Sequence, residues 1–145
     1  MGVSIPETLR VRHQQSAIVA GLAMAIMRSM QRAYTAKNFG QMMEHLAIAC
    51  SVRLNDQDGG EPCTVAALSR LLGMPRSNVD RAAKSLVKQG LLRKEGNGFV
   101  GDLDFLAEHH DAEYFRAACA AILSAADELR ETGIAVLCLL EVVCI

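Results

Sequence analysis

The tightest constraint in this chain is the tripeptide Gly73-Met74-Pro75. Glycine accepts the left-handed backbone that ends a helix, and proline has no N–H with which to continue one. On both sides of this stop, apolar residues recur at helical spacing. Before it, Val65, Leu68, Leu71 and Leu72 fall at i, i+3, i+6 and i+7, and Thr64 stands where a capping hydroxyl is needed. After it, a helical wheel gathers Val79, Ala82, Ala83, Leu86 and Val87 on one side and sets Ser77, Arg81, Lys84 and Lys88 opposite, with Asn78 and Ser85 on the flank. Ser77 is the expected cap of this second helix and Gly90 its stop.

Two short strands are expected next, within Leu91–Glu95 and Phe99–Val100, joined through Gly96-Asn97-Gly98. That tripeptide is a hairpin signal because both glycines accept positive φ. Helix, tight turn, helix, strand, hairpin, strand, from Cys63 to Asp102, is the order of a winged helix-turn-helix. A basic helix face beside a small ribbon suits the major groove of duplex DNA, with Lys and Arg engaging phosphates. Arg76, Ser77, Asn78, Arg81 and Lys84 are expected to face the groove, and Lys88, Arg93 and Lys94 the phosphates. Asn78 and Arg81 are the better candidates for base edges.

Charge placement agrees with this. Residues 61–100 carry seven Lys/Arg against three Asp/Glu, whereas residues 101–145 carry two against nine, in a chain of net charge −1. The positive block coincides with the helix-turn-helix, and the acidic C-terminal region is expected to lie away from DNA.

The run L-S-R-L-L-G-M-P-R-S-N-V-D-R-A-A-K-S-L-V-K-Q-G-L-L-R-K resembles the helix-turn-helix of bacterial MarR-type and IclR-type transcriptional regulators, the Gly-Met-Pro-Arg-Ser turn being nearest the IclR pattern. The resemblance covers about 40 residues. It implies that residues 76–89 form the recognition helix, that terminal helices dimerise, and that a small-molecule effector pocket lies between those helices and the winged domain, where Met24, Met27, Met42 and Met43 are candidate lining residues. IclR proteins add a large effector domain for which this chain is too short. MarR proteins usually carry a longer, more basic wing with an Asp-x-Arg element, where Gly-Asn-Gly stands here.

Ser4-Ile5-Pro6-Glu7 has the form of a capping box and opens a long helix expected to reach the middle 30s. Val19, Leu22, Ala23, Ile26, Met30, Ala33 and Tyr34 make one apolar face, yet Ala17, Ile18, Gly21, Met24 and Ala25 leave the other side apolar as well. A helix apolar all round needs cover all round, which predicts packing against a second copy, with a central core helix as the alternative. A second helix starts near Phe39, with Phe39, Met42, Met43, Leu46, Ala47, Cys50 and Leu54 as its apolar face. Asn55 to Gly60 reads as a loop by composition, and its acidic pair lacks the ligand spacing of a calcium loop.

His109 and His110 stand beside carboxylates, but neighbours on a helix point about 100° apart and do not readily share one ion. Asp111 reads as the cap of a helix from Ala112 to Arg130, whose apolar set is Phe115, Ala118, Cys119, Ile122, Ala126 and Leu129. Beyond Thr132-Gly133, the tail Ile134–Ile145 is apolar enough to require burial, which strengthens the expectation of a dimer. The five cysteines have no CxxC spacing and no secretory signal precedes them, so a reducing cytoplasm is expected, with most of them in the core. No apolar stretch reaches the ~20 residues of a membrane span.

Together these readings predict a mainly α chain forming a single domain, 1–145. Residues 1–37 would be an N-terminal dimerisation helix, 38–102 the winged helix-turn-helix with its small β-hairpin wing, and 103–145 a C-terminal helical dimerisation region. The expected function is a homodimeric, cytoplasmic, DNA-binding transcriptional regulator on a pseudo-palindromic site. The alternative is a winged-helix protein-interaction or assembly module that binds no DNA. No nucleophile–base pair, phosphate-cradling loop or metal spacing argues for an enzyme, and no cofactor or metal is expected.

Overall fold

In the computed structural model, residues 6–109 and 112–134 are described. The chain divides into two units, Met30–Ala112 and the pair Met1–Ser29 with Glu113–Ile145.

The first of these units opens with helix α2 (Phe39–Gln57), following α1 (Glu7–Gln31). Asn38 is extended, φ −155°, and its side chain accepts from the Gln41 N–H at 2.9 Å, the expected chemistry of an N-cap. Helix α2 packs chiefly on the second helix of the helix-turn-helix and on the central strand of the sheet, and the row facing them is Met42, His45, Ile48 and Val52. The apolar face expected from sequence is therefore partly wrong, since Phe39, Met43 and Leu54 are exposed. Hydropathy breaks the buried row at His45 and so favours its neighbour; the partners on the far side decide. Met42 is spent in the core and lines no surface.

Helix α2 also runs on through Asn55, Asp56 and Gln57, which composition assigned to a loop. Both polar side chains reach distant backbone: Asn55 Nδ2 donates to the Glu61 carbonyl at 2.9 Å, and Asp56 Oδ2 accepts from the Gly101 N–H at 2.7 Å. The chain turns only at Asp58-Gly59, where Gly59 has φ +71°.

Strand β1 (Cys63–Thr64), helix α3 (Val65–Leu72), helix α4 (Arg76–Lys88), β2 (Leu92–Glu95) and β3 (Gly98–Gly101) come next. They form an antiparallel sheet of order β1-β3-β2, with Cys63 opposite Phe99 and Arg93 opposite Val100. The wing hairpin is the expected one, whereas β1 is an addition: it is two residues long, and its pairing partner lies far along the chain. Gly96 turns with φ +55°, but Gly98 does not use positive φ. Its glycine is required for another reason, because a Cβ there would lie 2.5 Å from the Pro62 carbonyl oxygen. Ile48, Val52, Leu68, Val79, Ala82, Ala83, Leu86, Leu91, Leu92 and Phe99 form one core, on which Tyr34 and Phe105 also pack. Phe105 belongs to a short helix α5 (Leu103–His109), capped where Asp102 accepts from the Phe105 N–H at 3.0 Å.

The other unit consists of α1 as far as Ser29 and helix α6 (Glu113–Glu131). Gln15 Nε2 donates to Thr132 Oγ1 at 3.0 Å, and small residues, including Ala17, Gly21, Ala25, Ala121 and Ala125, line an open groove of about 430 Å³ between the helices. Of the apolar sets read from sequence, Ala118 is buried, while Val19, Phe115 and Ile122 stay exposed. Gly133, φ +82°, ends α6 as expected. The Ser4-Ile5 half of the capping box, His110, Asp111 and the tail beyond Ile134 lie outside the described residues. No helix among the described residues is long and apolar enough to cross a membrane.

Candidate nucleic-acid interface

Helix α4 is fixed at both ends and along its inner face. At its start the turn is built by α3, whose Thr64 cap accepts from the Ala67 N–H at 3.2 Å and whose Gly73 takes the left-handed conformation, φ +64°. The Met74 N–H then donates to the Ser69 carbonyl at 3.2 Å, and the Ser69 hydroxyl donates to the Met74 carbonyl at 2.6 Å. Ser77 does not cap α4. Its cap position is Pro75, which makes no side-chain bond, and the Pro75 carbonyl accepts from Asn78 and Val79 at 3.0 and 3.1 Å. Proline's fixed φ starts the helix a residue or two before a serine cap would, so Ser77 lies within the first turn.

At the other end, the Leu91 N–H donates to the Leu86 carbonyl at 3.0 Å and the Gly90 N–H to Val87 at 3.1 Å, with Gly90 at φ +80°. This is a Schellman closure, with Leu91 and Leu86 both in the core. Gln89 adds a tether. Its Oε1 accepts from the Thr35 N–H at 3.0 Å and its Nε2 donates to the Thr35 carbonyl at 3.3 Å, tying the connector after α1 to the end of α4.

With Val79, Ala82, Ala83 and Leu86 buried, the opposite face is held outward. Arg76, Ser77, Arg81, Lys84 and Lys88 are exposed and Asn78 is half-buried. The side chains of Arg81 and Lys84 keep 70% and 64% of their surface exposed. Arg93 and Lys94 are exposed on β2, Arg93 within 3.3 Å of the Glu95 carboxylate. So α4 brings six of the eight expected residues onto one helix, and the wing carries the other two.

Two acidic residues outside the expected set also belong to this face. Asp80 Oδ2 accepts from Lys84 Nζ at 2.7 Å, and Glu44, projecting from α2, lies 3.8 Å from the Arg81 guanidinium. The first pair was readable from its i, i+4 spacing. The second depends on the packing of α2 on α4 and had no local signal.

The other candidate chemistry is weaker. The His109 ring stacks on Phe105, centroids 4.0 Å apart, with its Nδ1 2.9 Å from the Phe105 carbonyl. Among the described residues no three His, Cys, Asp or Glu are grouped as metal ligands. The expectation that the cysteines are mostly core is not met by the three described: Cys50 is exposed, Cys63 and Cys119 half-buried. Desolvation pushes the Cys50 and Cys63 thiols above the ordinary range, Asp56 adding to the effect at Cys63, which opposes thiolate reactivity.

A three-stranded sheet flanking a helix–turn–helix, with a hairpin wing after the second helix, defines a winged helix-turn-helix. A family model, that of the MarR family, matches residues 54–99, which run from the end of α2 into β3, and the winged helix is MarR-like over that span. No curated protein and no solved structure matches the chain.

Proposed function

We propose that this protein is a DNA-binding transcriptional regulator acting as a homodimer, with α4 as its recognition helix in the major groove. The observation that carries the reading is the two-sided character of α4. Its apolar row is locked in the core, and Ser77, Arg81, Lys84 and Lys88 project outward together. Phosphate contacts from Lys88, Arg93 and Lys94 would supply most of the affinity, while Arg81 and Asn78 would read base edges. The similarity of residues 54–99 to the MarR family supports the same reading.

The dimer is supported by the α1/α6 unit taken alone. Phe115, Ile122 and Leu123 on α6 leave 49%, 46% and 68% of their surface exposed, and Leu9, Val19 and Met24 on α1 are exposed too. So many exposed apolar side chains on two helices call for cover by a partner, and a second copy satisfies this symmetrically. Two-fold symmetry then calls for a pseudo-palindromic site with half-sites about one turn, ~34 Å, apart.

A mobility-shift titration against genomic fragments tests the assignment, comparing the wild type with the Arg81→Ala/Lys84→Ala double variant. Binding that falls with salt and is lost in the variant is expected. Absence of binding by the wild type at low salt would support the assembly-module alternative instead.

A further inference from the structure

The α4 face is not uniformly basic, and the placement of its acids is specific. On the helical wheel Arg81 and Lys84 lie near the centre of the exposed arc, one on each side of it. Each has its own carboxylate, Lys84 from Asp80 one turn earlier and Arg81 from Glu44 on the neighbouring helix. The Lys84–Asp80 pair is too exposed, and the Arg81–Glu44 pair at 3.8 Å too long, to add much to stability. Their consequence lies in what the face presents to a partner. A phosphate approaching Arg81 or Lys84 meets a fixed negative charge beside its target, so that backbone contact alone is weakened at two of the three cations of that arc, Lys88 being the third.

We propose that Asp80 and Glu44 are specificity-determining residues of the recognition face, suppressing sequence-independent binding, with Asp80 further requiring a cytosine amino group at the base pair it meets. This rests on the reading of α4 as a DNA-reading helix. Asp80 is an acceptor-only group at the edge of the exposed arc, its side chain 43% exposed. In the major groove it is repelled by the guanine O6/N7 edge and satisfied by the N4 amine of cytosine. Lys84, held 2.7 Å from it, then lies beside that base with a donor for a guanine edge. The pair thus reads as a unit, acceptor next to donor. Glu44 acts differently. It stands on α2 and modulates Arg81 through charge, without a base edge of its own to read.

The test is equilibrium binding of purified full-length protein to random-sequence duplex, together with selection of preferred sites from a random duplex library. Wild type, Asp80→Asn, Glu44→Gln and Arg81→Ala are compared, with thermal unfolding of each variant as the check on folding. Asp80→Asn and Glu44→Gln are expected to bind random duplex roughly threefold to tenfold more tightly at low salt, the gain shrinking as salt screens the removed charge. Asp80→Asn should also exchange cytosine for adenine at one position of each selected half-site, since asparagine pairs with the adenine N6/N7 edge. Glu44→Gln should leave that position unchanged. Unaltered random-duplex affinity and unaltered selected sites in Asp80→Asn would overturn the proposal, while weakened binding by Arg81→Ala would leave the DNA reading standing. Failure of the wild type and every variant to bind duplex would overturn both.

Discussion

His45 is the least comfortable residue in the winged-helix core. Its ring is fully buried on the inner row of α2, and neither nitrogen has a hydrogen-bond partner among the described residues. Burial pushes its pKa below the ordinary 6.5, and the neighbouring Glu44 opposes that only in part. The native state therefore holds the ring neutral at a pH where the unfolded chain, with an ordinary imidazole, binds a proton. A base depressed in the native state contributes stability above pH 6.5 that is lost as pH falls from there toward the folded value. One unit below the unfolded value the loss is at most about RT ln 11, or ~1.4 kcal/mol, the limit set by protonation of the unfolded chain alone. For a unit of this size that is roughly 5–10 °C in Tm.

Replacing His45 by leucine removes both unpartnered nitrogens and the titration together, at similar volume. A buried unsatisfied polar group costs about 1–3 kcal/mol, so His45→Leu is expected to equal or exceed wild-type stability at neutral pH. Its advantage should then widen, by at most about 1.4 kcal/mol, on going one unit below the imidazole's ordinary value. Thermal or urea unfolding of both proteins at paired pH values measures this directly, because the other histidines contribute equally to each. Parallel stability–pH curves for the two proteins would refute the reasoning, since His45 would then titrate alike folded and unfolded.

The same structure fixes other outcomes. Gly98→Ala should destabilise by about 1–3 kcal/mol in urea unfolding, because the new methyl meets the Pro62 backbone, which cannot move aside as a side chain could. Thr64→Ala should lower stability by about 1 kcal/mol through loss of the α3 cap, whereas Ser77→Ala, which removes no cap, should stay within about 0.5 kcal/mol of wild type in the same assay. Ile122→Glu with Leu123→Glu should halve the mass measured by light scattering while leaving the circular dichroism of the winged helix intact; an unchanged mass would remove α6 from the dimer interface.

The helix-turn-helix was legible in the chain because its signals are local. Thr64 caps α3, Gly73 ends it, and the Val79-to-Leu86 row needs no distant partner to be recognised. Apart from the Ser77 cap, displaced locally by Pro75, the features missed or misread were decided elsewhere in the fold. His45 replaces an apolar residue in the buried row of α2 because α4 and β3 choose the row. Asn55 and Asp56 look like loop residues until their bonds to Glu61 and Gly101 are seen. Strand β1 has no pattern of its own, being two residues completed by Phe99 and Gly98. The site divides the same way, with the cations of α4 read from the wheel and Glu44 supplied by a neighbouring helix.

The two glycines on either side of Asn97 at the turn of the wing live under opposite rules. Gly98, which pairs with Glu95 at the end of the turn, is wedged against Pro62 with no room for a methyl, whereas the space around Gly96 is open to 4 Å. A side chain added at Gly98 disturbs the sheet; around Gly96 and the exposed Asn97 there is room. On the DNA-binding reading proposed above, reach along a duplex can therefore be lengthened or recharged at the exposed Asn97, with Gly96 kept for its left-handed turn, without retuning the domain beneath. That makes this tip the natural graft point for giving the scaffold a second set of contacts.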